Sequence, residues 1–119
     1  MKANELMIGD FIRTIYTKKI IRVREIKQSC IYTNDNGYEY NEIEPIPITP
    51  DILLKNGWKR LTSPEGEDVF VLDLETITLW WFVKDKELVL IGGSHLKIEY
   101  VHQLQHALRM CNVSKEIKL

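Results

Sequence analysis

Six residues in the middle of the chain, Pro45-Ile46-Pro47-Ile48-Thr49-Pro50, restrict its folding more than any others. Prolines at positions 45 and 47 fix two φ angles and remove two amide donors, which forbids a helix and excludes a central strand. The segment must run extended. Thr49-Pro50-Asp51 then reads as a helix start: a hydroxyl N-cap, proline at the first helical position, and a carboxylate near the positive end of the dipole. Ile52, Leu53 and Leu54 give this helix an apolar side, and Asn56-Gly57 stops it after about two turns, with residues that tolerate the left-handed conformation. Trp58 is placed to pack it onto a sheet. A chain of 119 residues fits one compact domain, so the connector marks two subregions, 1–48 and 49–119, of a single domain.

The first subregion reads as a small antiparallel β unit. Gly9-Asp10-Phe11-Ile12 turns the chain into a strand running to about Tyr16, and Thr17-Lys18-Lys19 is a polar turn. Residues 20–26 form the next strand, with Ile21 and Val23 on one face and Arg22 and Arg24 on the other. Cys30-Ile31-Tyr32-Thr33 is a third strand and residues 38–43 a fourth. Between them, Asn36-Gly37 predicts a type I′ hairpin with positive φ at both central positions. Four short strands of this kind suggest an SH3-like small barrel or a strongly bent sheet.

In the second subregion, Ser63-Pro64-Glu65-Gly66-Glu67 is a polar loop. Strands are expected over 69–74, 76–83 and 88–91. In the middle one, Ile77, Leu79, Trp81 and Val83 share a face, and Thr76, Thr78, Trp80 and Phe82 share the other. Large apolar groups on both sides suit a strand covered twice, or one with an interface on one side. A helix follows over about 99–111, expected to pack on this second sheet. Val101, Leu104, Leu108 and Cys111 lie on one arc with Tyr100 and Ala107 beside them, whereas His102, His106 and Arg109 lie on another. Asn112 stops the helix, and residues 116–119 alternate like a final edge strand.

Sixteen basic and seventeen acidic residues give a net charge of −1, which disfavours a protein held on DNA chiefly by phosphate neutralisation. The charge is uneven: residues 1–30 are basic on balance and residues 61–90 acidic. The N-terminal sequence has no signal-peptide apolar region, and the longest apolar run, residues 79–83, is far too short to span a bilayer. A cytoplasmic protein without membrane contact is expected. Cys30 and Cys111 fit no disulfide framework and read as two buried thiols.

Candidate chemistry is sparse. His102 and His106 are four apart, the spacing that turns two imidazoles toward one metal, but Gln103, Leu104 and Gln105 between them lack the glutamate of the HExxH hydrolases. His95 and Glu99 are the remaining candidates for a third ligand, and two polar residues on an exposed helix face explain the pair more simply. Ser94-His95 after Gly92-Gly93 lacks the GxSxG elbow, and the two glycines fit a turn rather than a phosphate loop. The carboxylates fall on turns and outer faces. No catalytic site and no cofactor are expected. Arg13, Lys18, Lys19, Arg22, Arg24 and Lys27, interleaved with Phe11, Tyr16 and Tyr32, are the candidates for nucleic-acid contact. Trp80, Trp81 and Phe82 are the candidates for a protein interface.

Three segments carry a family resemblance: Asn4-Glu5-Leu6-Met7-Ile8-Gly9-Asp10, the Pro45–Pro50 connector with residues 53–57 after it, and Tyr100-Val101-His102-Gln103-Leu104-Gln105. Together they resemble a family of small uncharacterised proteins of Bacteroides-type bacteria and their prophages and mobile elements. Asn112 stands where such proteins often carry glycine. The resemblance brings no reaction or ligand; it implies a binding, assembly or host-modulating role rather than a metabolic one.

The resulting expectation is an α+β fold with an SH3-like barrel or bent sheet, a short bridging helix, and a second antiparallel sheet carrying the C-terminal helix. Its expected function is that of a non-catalytic interaction or assembly module with a protein partner or a second copy of itself. The alternative is a nucleic-acid-binding barrel using the basic N-terminal face. A metal-dependent hydrolase at His102 and His106 is the third reading.

Overall fold

The computed structural model describes residues 1–62, 64–90 and 94–119. Ser63 of the expected polar loop, Ile91 of the expected last strand and the Gly92-Gly93 turn lie outside the described residues. The chain is mixed α+β, with antiparallel sheets and two α-helices. It forms two compact units: unit 1 is Met1–Pro47 with Tyr100–Lys115, and unit 2 is Ile48–Glu99 with Glu116–Leu119.

Unit 1 opens with a 3-10 turn at Ala3–Glu5, followed by β1 (Phe11–Thr14), β2 (Ile20–Arg22), β3 (Glu25–Ile26), β4 (Cys30–Tyr32) and β5 (Gly37–Glu39). A second 3-10 turn, Tyr40–Glu42, leads into β6 (Ile43–Glu44). The expected continuous strand over 20–26 is broken after Arg22, and its two pieces serve different sheets, β2-β1-β6 and β3-β4-β5. The expected SH3-like barrel is therefore not closed; unit 1 has two three-stranded sheets. Alternation still decides what is inside: Ile12, Ile21, Val23, Ile31 and Ile43 are buried and pack with Leu6 into one cluster. Each such side chain contributes on the order of 1.5–3 kcal/mol when removed from water.

The Asn36-Gly37 hairpin is not type I′, because neither residue has positive φ. Thr33 makes the turn instead. Its hydroxyl accepts from Asp35 N and Asn36 N, and its amide donates to Asn36 O. Gly37 has another use: it sits opposite Tyr32, and a Cβ there would lie 2.8 Å from the Tyr32 ring.

Unit 2 begins with α1 (Pro50–Lys55), capped as expected by Thr49, whose hydroxyl accepts from Ile52 N at 3.3 Å. Gly57 then takes φ +86° and Trp58 is buried. The sheet is a meander, β11-β10-β9-β8-β7, built from β7 (Lys59–Thr62), β8 (Asp68–Asp73), β9 (Thr78–Phe82), β10 (Glu87–Leu90) and β11 (His95–Lys97). Strands β7 and β11 are not evident from composition: β7 is exposed along its whole length and β11 has only three residues. The expected edge strand at 116–119 does not form. Asn56 holds that tail instead, donating to Lys118 O and accepting from Lys118 N.

The C-terminal helix is α2 (Val101–Met110), ended by Asn112 at φ +57°. Where the sequence expectation grouped it with the second sheet, it is part of unit 1, and its Gln105 side chain bonds Gly9 and Phe11. Among the described residues no helix is long and apolar enough to cross a membrane. Cys30 and Cys111 are free but half-buried, not buried.

Candidate functional site

The polar arc of α2 is not the exposed face expected from His102 and His106. His102 is 3% exposed and Gln105 is 8% exposed. Both faces of the helix are covered, because the segment Met7–Phe11 crosses the polar one. Gly9 takes φ +94° there, which brings its carbonyl to Gln105 Nε2 at 3.0 Å and Arg22 Nε at 3.2 Å. Gln105 Oε1 accepts from Phe11 N at 2.8 Å, so one amide side chain satisfies both sides of the bend. Arg109 Nη2 donates to Ile8 O at 3.1 Å.

Asp10 lies at the centre and is fully buried. Its Oδ2 accepts from Met7 N at 2.8 Å and lies 2.7 Å from His106 Nε2. Its Oδ1 has no hydrogen-bond partner; Arg109 Nη1 stands 3.8 Å away, close enough for charge compensation but not for a bond. The contact with Asp10 engages Nε2 of the His106 ring and leaves Nδ1 as its other nitrogen. The His102 ring meets His106 edge-on at 5.7 Å and stacks on Tyr100 at 6.0 Å. His102 Nδ1 is buried without a partner. Burial pushes the His102 pKa down and His106 adds to this, while the nearby charges of Asp10 and Glu5 oppose it. A cavity of about 410 Å³ adjoins the cluster, lined among others by Asn4, Glu5, Met7, Tyr100, His102 and His106.

The sequence placed His102, His106 and Arg109 on one arc but did not identify Asp10, 96 residues before His106. Gly9-Asp10 resembles any strand-opening turn, and nothing local marks its carboxylate as buried. The expectation that carboxylates fall on outer faces fails at this residue. As for metal, no group of three or more His, Cys, Asp or Glu is placed to hold an ion among the described residues. His95 sits in β11, 3.4 Å from Glu87.

The six basic candidates in unit 1 differ in their partners. Arg13 and Lys18 converge on Glu44, whose pKa is lowered first by the Lys18 hydrogen bond. Lys27 lies 3.6 Å from Glu25 and over the Tyr32 ring. Arg22 stacks on Phe11 with 5.0 Å to the ring centroid. Lys19, Arg22 and Arg24 border a small cleft of about 150 Å³, and Asp35 shares it.

The aromatic triplet divides as the strand parity requires. Trp81 is 3% exposed and donates from Nε1 to Ile98 O at 3.0 Å, on the face that carries the buried Phe70, Leu72, Leu79 and Leu88. Trp80 is 41% exposed, and with Phe82 it lies on the opposite face. Register adds Val69, Val71, Val89 and Leu61 to that face, where Leu61 is 52% exposed and Val69 is buried. Lys59, Asp73, Glu87 and Lys97 share it in the same register, so charges of both signs surround the apolar centre. The chain matches no family model, no curated protein and no solved structure.

Proposed function

We propose that the chain is a non-catalytic interaction module that pairs with a second copy of itself through the open face of the unit 2 sheet. The observation that carries this reading is Trp80, 41% exposed in the middle strand of five, with Phe82, Val71, Val89 and Leu61 around it. Aromatic anchors dominate interface energetics, and contiguous exposed apolar area is characteristic of docking surfaces. The mixed rim favours a second copy over a strongly charged partner. A two-fold contact sets a surface against itself, so it needs both Lys59 or Lys97 and Asp73 or Glu87 on one face. An assembly role also agrees with the family resemblance.

An SH3-like reading of unit 1 is part of the same proposal. It is supported by the strand order, in which β1 pairs with both β2 and β6, β4 pairs with both β3 and β5, and a 3-10 turn precedes the last strand. Nucleic-acid contact through the basic strands is the weaker reading, since Glu44 and Glu25 already engage three of the six cations.

Sedimentation or light scattering over a concentration series tests the proposal. The wild type is expected to associate reversibly and Trp80→Asp to remain monomeric with an unchanged far-UV spectrum. A wild type that stays monomeric throughout, or a Trp80→Asp variant that associates equally well, overturns it.

A further inference from the structure

We propose that the cavity beside His102 and His106 in unit 1 binds a small organic cation, a primary ammonium group carried on a short apolar body. The described residues that border it offer several hydrogen-bond acceptors and one carboxylate. The lining includes the Glu5 carboxylate, the Asn4 amide, the Tyr100 ring and both imidazoles, and no lysine or arginine among the described residues. His106 Nε2 is committed to the buried Asp10, which fixes the orientation of the ring and leaves Nδ1 as its uncommitted nitrogen. Beside it, His102 Nδ1 is a buried polar atom without a partner, in a side chain only 3% exposed. Such an atom costs on the order of 1–3 kcal/mol unless something fills its hydrogen-bonding capacity.

An ammonium group suits this arrangement. It supplies three donors to a lining that holds the Glu5 carboxylate, two imidazoles and the Asn4 and Gln103 amides, and its charge is matched by Glu5. Met7 and Pro45 provide apolar wall for the body of the ligand. An anion fits poorly, although the N-terminal end of α2 is close by. Its first amide, Val101 N, already donates to Ile46 O at 2.8 Å, and Tyr100 N just before the helix donates to Gln103 Oε1 at 3.1 Å. Burial also pushes the His102 pKa down, which disfavours the charge an anion would seek.

The test uses the full chain and three probes with one skeleton: n-butylammonium, butyrate and butanol. Binding is followed by calorimetry and by the imidazole resonances of His102 and His106, with Glu5→Gln as the variant. The ammonium probe is expected to bind with millimolar affinity, shift both imidazoles, and weaken about fivefold in Glu5→Gln. Butyrate or butanol binding as well as the ammonium overturns the proposal, and so does the absence of any imidazole response in the wild type. Glu5 is exposed, and a thermal melt of the variant separates a local effect from misfolding. Should Glu5→Gln not fold, the wild-type ranking of the three probes decides by itself. All arms are repeated in Trp80→Asp, so that self-association cannot be mistaken for ligand binding.

Discussion

The polar face of α2 and the outer face of β9 invert the usual distribution of side chains in opposite directions. On α2, His102 and Gln105 are buried, and Asp10 opposite them is wholly so. On β9, Trp80 is 41% exposed with apolar neighbours on both adjacent strands. The first inversion is resolved inside the chain. Gln105 and Asp10 bond backbone groups of the bend at Met7–Phe11 and so favour one arrangement of that segment, while Asp10 Oδ1 and His102 Nδ1 keep no hydrogen-bond partner. The second has no internal resolution of that kind, because an apolar side chain makes no directional bond and is stabilised only by being covered. One face is thus a structural clasp, and the other leaves a large aromatic side chain in contact with solvent.

Substitutions can break this contrast. The largest effect is expected from the two adjacent tryptophans of β9. Trp81→Ala should cost about 4 kcal/mol in chemical denaturation, since it empties a buried site and frees the Ile98 carbonyl. Trp80→Ala should cost less than about 1 kcal/mol and instead reduce self-association. Equal losses at the two positions would mean that the outer face is also core.

Asp10→Ala comes next, at about 3 kcal/mol, because it leaves Met7 N and His106 Nε2 facing a void. A thermal melt that hardly moved would show the clasp to be incidental. Gly9→Ala should cost about 1–2 kcal/mol: its φ of +94° strains any L side chain, and the new Cβ would lie 2.9 Å from Arg109 Nη2. The arginine tip can give way, so most of that cost is backbone strain, and Gly9→Asn should recover part of it.

The smallest effect concerns pH. The folded His102 pKa is below its ordinary 6.5, so the unfolded chain takes up the proton first as pH falls. Stability from this residue is present above the unfolded value and is lost as pH drops through the folded one. His106, Asp10 and Glu5 act on the ring, and Arg109 stands beside Asp10. Urea titrations between about pH 7.5 and about pH 5.5 should show a decline in the wild type that is flatter in His102→Asn. An unchanged slope would remove His102 from the acid limb.

Much of the local structure was legible in the sequence, for reasons that operate over a few residues. Thr49-Pro50 starts a helix and Asn56-Gly57 ends it wherever the chain lies, because capping and φ preferences are local. The alternation in β9 assigns Trp80 and Trp81 to opposite faces by parity alone. The hairpin at Asn36-Gly37 was less legible. The dipeptide signals positive φ, but Thr33 closes the turn with its hydroxyl, and the glycine is needed to clear the Tyr32 ring.

The candidate site divides in the same way. Periodicity put His102, His106 and Arg109 on one arc of α2. It could not say whether that arc faced water, because burial depends on what crosses it.

What the sequence by itself determined were the extended connector, the capped first helix, the strand parities and the two-sided pattern of the second helix. Each follows from steric limits or from a period that repeats within a few residues. Only the tertiary structure decided that Asp10 meets His106 across 96 positions, that α2 joins the N-terminal strands, and that Trp81 is covered while Trp80 is not. Burial and partnership are properties of the whole packed chain, and no window of sequence contains both sides of such a contact.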